Sequence, residues 1–491
     1  MENIFGSVKA DYIVKLKTEQ IAVDCVMDIP EDKPISEVLG KSADTGSITA
    51  IQSENAINLS GKTNFKLIYR TGESDIYALD YFSSFSTETK LKVENADRLF
   101  AFGKVLDVEI ISQKEREIKL KAVVEIDVLG AIKNDYMACD NLSLCRKTKE
   151  IKQTSLKNIA TATFDIYEEF ESGVDVDKIL LMDSNLVLSS SKTGRDCILV
   201  SGTATTNISY SSSSGVFSKT FSMPFCEEVG DIDAHPDNDV YLYGQIKDSR
   251  IVLSGTEENT LLRVEITVEL TCPIFESQTI ETLADAFDVE KDLSYTKKEC
   301  ICYKKTGEWN FEERLSGSAK LGEDSPLATR IITTLMAKNV PSSVTASDDK
   351  INIEGVALAT VIYEDVEGIL RSVEVELPYA LSLRADGAKQ NGEVYIRSAV
   401  CDVTSALKRS REIEVMYLLR VYAYECEREK FDIIDSLSVK ECEQKEMPAL
   451  VMYMGGTDKE DFEIAKSLRV KPENVMRGEE EFILCYRRLD I

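Results

Sequence analysis

Histidine and tryptophan are nearly missing from this chain of 491 residues, with one of each. A Ser-His-Asp or Cys-His nucleophile system would have to use the single histidine, His235. It stands in Asp231-Ile232-Asp233-Ala234-His235-Pro236-Asp237-Asn238-Asp239, a polar, proline-containing stretch that reads as a surface loop, with no Gly-x-Ser-x-Gly to accompany it. An ordinary exposed loop histidine is the expectation, with divalent-cation binding by the neighbouring Asp residues as the alternative. Trp309 is expected to anchor a core or an interface. The 12 cysteines include no Cys-x-x-Cys, the closest pair being Cys300 and Cys302, so neither a zinc site nor a disulfide framework is indicated. Cys25, Cys197, Cys272 and Cys401 lie in apolar strand-like contexts and read as small buried hydrophobes.

Other absences narrow the function. Neither a Gly-x-x-x-x-Gly-Lys-Ser/Thr loop nor a Gly-x-Gly-x-x-Gly turn opening a helix occurs, which removes the usual footholds for nucleotide chemistry and cofactors. Basic residues are outnumbered 58 to 86, and the resulting net charge of −28 opposes unassisted nucleic-acid binding. So many carboxylates guarantee close pairs somewhere, so their pairing says nothing of a catalytic acid and base; the acidic runs read as solvated faces. No apolar run approaches the roughly 18–20 residues of a membrane-spanning helix, and Met1-Glu2-Asn3-Ile4-Phe5 lacks a basic and apolar leader. A cytoplasmic protein without catalytic machinery is expected. With 43% hydrophobic and 29% charged residues, the chain has ample material for several cores.

What is present is a thirteen-residue pattern in three copies: Ile57-Gly61-Tyr69, Ile198-Gly202-Tyr210 and Ile351-Gly355-Tyr363. Each glycine lies four residues after an Ile and eight before a Tyr. Around it the apolar residues alternate, as Ile57, Leu59, Phe65 and Leu67 do in the first copy, which is the side-chain period of a β-strand. A strand ordinarily runs about 5–6 residues. A longer one with a central glycine is expected to cross a sandwich and to kink there. The role of Gly61, Tyr69, Gly202, Tyr210, Gly355 and Tyr363 is thus read as structural.

Further landmarks keep the same step. An aromatic follows each Tyr by fifteen or sixteen residues, at Phe85, Phe225 and Tyr379, with Pro224 and Pro378 just before the latter two. Proline suits an edge strand or a strand start. Arg116-Glu117-Ile118 and Arg411-Glu412-Ile413 both open alternating apolar runs, matched in the middle copy by Leu262, Val264, Ile266, Val268 and Leu270; Ser47-Ile48-Thr49-Ala50 returns as Ser343-Val344-Thr345-Ala346. The glycines lie 141 and 153 residues apart, far beyond the roughly 20–50 residues of a solenoid repeat and close to domain size. Three related, mainly β, sandwich-like domains follow, at 1–137, 138–288 and 289–440.

The tail reads differently. Leu450-Val451-Met452-Tyr453 is strand-like, Gly455-Gly456 turns, Asp458 to Leu468 has helical spacing, Pro472 opens a second short helix, and Phe482-Ile483-Leu484-Cys485-Tyr486 ends as a strand. This βααβ module spans 447–491. It resembles a LysM module through Phe462-Glu463-Ile464-Ala465-Lys466 and Val470-Lys471-Pro472-Glu473-Asn474-Val475. It departs from that pattern where Gly456-Thr457-Asp458-Lys459-Glu460-Asp461 replaces Gly-Asp-Thr-Leu, and where Met476-Arg477-Gly478 stands in place of the usual Asn.

The three larger repeats, through their Gly-to-Tyr strand, resemble the SPOCS domain shared by clostridial spore-envelope proteins. Three such units followed by a LysM resemble the layout of SipL-type spore morphogenetic proteins over nearly the whole chain. That resemblance implies a non-catalytic assembly factor of the spore coat and cortex. It would be made in the mother cell, be peripheral at the forespore surface, and join a coat morphogenetic ATPase to other envelope proteins. A partner-docking face on Phe462, Ile464, Ala465 and Lys466 is the corresponding expectation. The alternative is a cell-wall protein that binds peptidoglycan or another glycan through the LysM-like tail.

Overall fold

The structure, a computed structural model, describes residues 4–9, 11–72, 75–91, 96–133, 135–140, 145–256, 259–287, 291–390 and 392–441. Every regular element among them is a strand. The expected βααβ module, and with it Phe462, Ile464, Ala465 and Lys466, lies outside the described residues.

The first unit comprises β1 (Ile4–Lys9), β2 (Tyr12–Asp28), β3 (Glu37–Thr45), β4 (Thr49–Gln52), β5 (Ala56–Thr71), β6 (Asp75–Lys90), β7 (Ala96–Lys114), β8 (Glu117–Ile132) and β9 (Asp135–Asp140). One sheet runs β2-β8-β7; in the other β3 and β4 share one side of β5 while β6 takes the opposite side. The second unit has β10 (Cys145–Glu171), β11 (Lys178–Thr193), β12 (Cys197–Ser212), β13 (Gly215–Gly230), β14 (Asp239–Val240), β15 (Tyr243–Thr256) and β16 (Asn259–Phe287). Its sheets are β11-β12-β13 and β10-β16, with β14 and β15 both on β16. The third has β17 (Lys291–Lys320), β18 (Ala328–Ser347), β19 (Lys350–Asp365), β20 (Leu370–Arg384), β21 (Glu393–Arg409) and β22 (Glu412–Glu441), in sheets β17-β22-β21 and β18-β19-β20.

Alternation explains the sandwich in each. In β8, Ile118, Leu120, Ala122, Val124 and Ile126 are wholly buried, and they face Ile57, Leu59, Phe65, Leu67 and Tyr69 of β5 in one core. The intervening residues point outward. Each Ile, Leu, Val or Phe of that core removed from water contributes about 1.5–3 kcal/mol. The same central strands build the other two cores, with Leu262 to Leu270 on β16 and Ile413 to Val421 on β22.

Two features were not foreseen. The first and last strands of each unit pair with each other far beyond the sandwich. β10 and β16 stay paired from Glu171–Leu261 out to Cys145–Phe287, and β17 and β22 from Lys320–Glu412 out to Lys291–Glu441. In the first unit β1 and β9 continue the same path from the Tyr12–Ile132 pair to the Ile4–Asp140 pair. The ribbons of the second and third units pack together through Ile151, Ile280, Cys300, Phe431 and Ile433, and farther out through Leu283, Ala286, Leu293, Ile434 and Leu437. β9 lies beside β16 and β22.

The second feature is a ring. β11 of the second unit packs on β5 and β6 of the first, β18 of the third on β12 and β13 of the second, and β3 of the first on β20 of the third. The same strand of every unit thus meets the same sheet of the unit before it, a head-to-tail contact that closes after three steps. Leu39, Leu180 and Ile332 sit at the same β-bulge, across from Tyr69, Tyr210 and Tyr363, and meet at the centre with Ile76, Val216 and Leu370. Nearer the ribbons a second hub forms from Phe102 of the first unit, Tyr241 and Tyr243 of the second, and Tyr395 and Tyr424 of the third. There the Tyr243 and Tyr424 hydroxyls share a 2.7 Å hydrogen bond, and Phe102 stacks on Tyr243 at 5.4 Å.

Candidate docking and ligand sites

The repeated glycines lie in unbroken strands. Gly61 pairs with Phe85, Gly202 with Phe225 and Gly355 with Tyr379, so the aromatic landmark of each repeat is the cross-strand partner of its glycine. A Cβ on Gly355 would stand 2.6 Å from the Tyr379 hydroxyl, and one on Gly202 would stand 2.5 Å from the ring of Phe225. The glycine therefore makes room for a ring laid over the strand. The irregularity expected at the glycine sits instead in the neighbouring strand. Register shifts fall at Leu188/Ser190 and Pro341/Ser343, opposite Gly202 and Gly355, and the break between β3 and β4 lies opposite Gly61. Tyr69, Tyr210 and Tyr363 are buried core residues, and Tyr210 donates to the Ser172 carbonyl at 3.1 Å.

Charged clamps hold the ring where the third unit meets the first. Arg371 donates to Glu37 at 2.9 Å and to Asp365 at 3.2 Å, and Arg70 reaches the same Glu37 oxygen at 3.0 Å. Burial by itself would raise the Asp365 carboxyl, but the Ile369 N–H, Arg371 and the Glu367 N–H outweigh it and hold it below the usual range. Lys41 adds a 2.6 Å pair with Glu374.

Between the central hub of bulge residues and the aromatic hub lies a cleft of about 1100 Å³ lined by all three units. Seven Lys or Arg and four Asp side chains line it, a basic lining in an acidic protein. Lys66 reaches across from the first unit to the Met182 carbonyl of the second, and Lys338 of the third donates to the Ala43 carbonyl of the first at 3.0 Å. Phe82, 72% exposed, belongs to the same lining. Burial pushes Lys104 down to about 8; Glu125 and Asp127 oppose that shift, and Arg397 and Lys338 reinforce it. Burial pushes Asp183 up to about 6, with Asp44 adding to it and Lys338 and Lys66 opposing.

The Asp183 shift has a measurable consequence for stability. The folded chain keeps this proton up to about pH 6 while the unfolded chain gives it up near 3.8, so stability falls as pH rises through that window. Asp183→Asn removes the buried charge. Thermal denaturation is expected to show the variant more stable than the native chain by on the order of 1–3 kcal/mol at neutral pH and indistinguishable near pH 4.

The other residues singled out from sequence are dispersed. His235 is exposed, its N–H bonded to Asn238 at 2.8 Å, while Asp231 and Asp233 converge on the Asn158 amide at 3.0 and 3.1 Å. Cys25, Cys272 and Cys401 are buried free thiols and Cys197 is half-buried. Trp309 packs against the third core and donates to the Asp386 carbonyl at 3.3 Å. No helix among the described residues is long and apolar enough to cross a membrane. Sequence reasoning missed Lys104, Lys338 and Arg397, which sit far apart in the chain, share no motif and meet only through the ring.

The family model described as SipL, SPOCS domain, fits residues 175–254 and 330–408, within the second and third units. No curated protein and no solved structure matches.

Proposed function

We propose that this chain, whose second and third units fit the SipL SPOCS-domain model, is a non-catalytic scaffold of spore coat and cortex assembly that docks a coat morphogenetic protein. The observation that carries this reading is the SPOCS match in two units that interlock with a third into one ring. In this reading the chain works in the mother cell at the forespore surface, joining a coat morphogenetic ATPase to other envelope proteins. A ring held by buried residues and charged clamps presents its outer strands in fixed relation, which lets several weak attachments act together.

The strands best suited to recruit an extended peptide are those with a free side. β6, β13 and β20 each pair on one side only. Pro224 and Pro378 remove a donor from β13 and β20, whereas β6 contains no proline and shows Phe82 to solvent. β6 is therefore the favoured edge for strand addition. The tail, through Phe462, Ile464, Ala465 and Lys466, is the second docking element of the proposal.

Co-purification from sporulating cells tests it, comparing the full chain with one ending before Pro448. The shortened chain is expected to lose the morphogenetic ATPase while its thermal unfolding stays that of the full chain. Equal recovery from both forms removes the tail from docking; recovery of no envelope protein by either form removes the scaffold reading.

A further inference from the structure

The cleft between the units carries more positive charge than the fold requires. Lys104 and Arg397 both line it, and neither makes an ion pair or a side-chain hydrogen bond with a described residue. Arg397 lies over the Phe102 ring at 5.1 Å, a stacking that leaves its in-plane N–H donors free. The carboxylates nearest Lys104 have partners of their own: Asp127 is paired with Lys15 at 2.6 Å, and Glu125 accepts from Gln20 at 3.1 Å. Within an otherwise strongly acidic molecule, desolvated cations without protein partners are costly.

The near-threefold frame shows that the shared fold does not need a cation at these places. The β-bulge after Val105 recurs after Ile246 and after Val400, which aligns Lys104 with Gln245 and Ala399, and Arg397 with Phe102 and Tyr243. Counting three residues on from each repeated glycine to its cross-strand partner aligns Lys338 with Asp44 and Asn185. At every one of these places the other two units keep the same strands without a cation. Three separate substitutions in three different strands therefore supply positive charge to one cleft.

We propose that this cleft binds a small polyanion, a molecule bearing two or more carboxylate or phosphate groups, held by Lys104, Arg397 and Lys338. A planar guanidinium and two ammonium groups contributed by two units suit an anion with separated charges better than a single small ion. The volume is ample, since ligand sites commonly span about 300–1000 Å³. The proposal stands apart from the scaffold reading, because its three cations lie on β7, β18 and β21 and not on β6 or the tail.

Calorimetric titration of the full chain with citrate and with inorganic pyrophosphate, with acetate as the singly charged control, tests it and separates carboxylate from phosphate preference. Binding of one citrate or pyrophosphate per chain is expected at neutral pH, with acetate inert. Lys104→Gln, which places the second unit's own residue there, is expected to weaken binding at least about tenfold without lowering the unfolding temperature. Arg397→Gln should weaken it as much. Asp183→Asn, which removes an opposing charge facing Asp44, Lys66 and Lys338, should tighten it. Affinity should fall as pH rises through about 8, where Lys104 gives up its proton. No heat from either polyanion, or equal affinity in the native chain and both weakening variants, overturns the proposal.

Discussion

Asp365→Ala is expected to destabilise the protein by about 3 kcal/mol, measured by thermal or denaturant unfolding. Its carboxylate is fully buried and accepts from the Glu367 and Ile369 N–H groups, both at 2.9 Å, and from Arg371. Removing it strands two backbone donors at the turn between β19 and β20. It also releases the arginine that ties this turn to Glu37 of the first unit. The effect therefore extends from one hairpin to the closure of the ring. It carries a pH signature: a carboxyl held below its ordinary range adds stability above that range and loses it as acid protonates the folded form, so native and variant should converge on acidification. The control is Asp386→Ala. Asp386 also pairs with an arginine, Arg384 at 2.7 Å, but both side chains are largely exposed, and its loss should leave the unfolding temperature unchanged.

The second large effect concerns the repeated glycines, which look alike in sequence and differ in what surrounds them. On Gly355 a Cβ would stand 2.7 Å from the Val340 carbonyl as well as against the Tyr379 hydroxyl, itself bonded to Asn339 at 2.7 Å. Backbone cannot step aside, so Gly355→Ala should cost roughly 2–3 kcal/mol. Gly202→Ala, which meets the Val187 carbonyl at 2.9 Å, should behave similarly. At Gly61 the closest atoms all belong to the side chains of Phe85 and Ile48, which can shift, and Gly61→Ala should cost about half as much. Equal losses at the three positions would refute this account.

The strand content was legible because it is local, and the constant spacing of the aromatics is the trace of a hairpin pairing that the structure showed. A hairpin reflects the chain about its turn, so pairing Tyr69 with Tyr77 fixes Gly61 opposite Phe85, and pairing Tyr210 with Phe217 fixes Gly202 opposite Phe225. Pro224 and Pro378 likewise marked strands that proved to be edges. The irregularity was placed on the glycine as a kink because its true location depends on a third strand, whose register the glycine segment does not encode. The ribbons went unread for a different reason. Outside the sandwich a two-stranded ribbon is wet on much of its surface, so segments such as Lys147-Thr148-Lys149-Glu150 carry little apolar period. The cleft was invisible because its cations occupy unequal places in similar units, and one chain with no aligned relatives gives no sign that 104, 338 and 397 converge.

The ribbons also dictate a timetable for folding. Cys145 finds its partner only when Phe287 has been made, and Lys291 only when Glu441 has, so each unit stays open until its final strand leaves the ribosome. Such distant pairings are slow to form. The first unit can finish early, yet its β3 meets β20 only once the last unit has been made. Leu39 on that strand consequently lacks its third-unit neighbours for most of synthesis, and a polypeptide that stops inside the third unit would leave part of the central apolar hub bare, a target for aggregation or proteolysis.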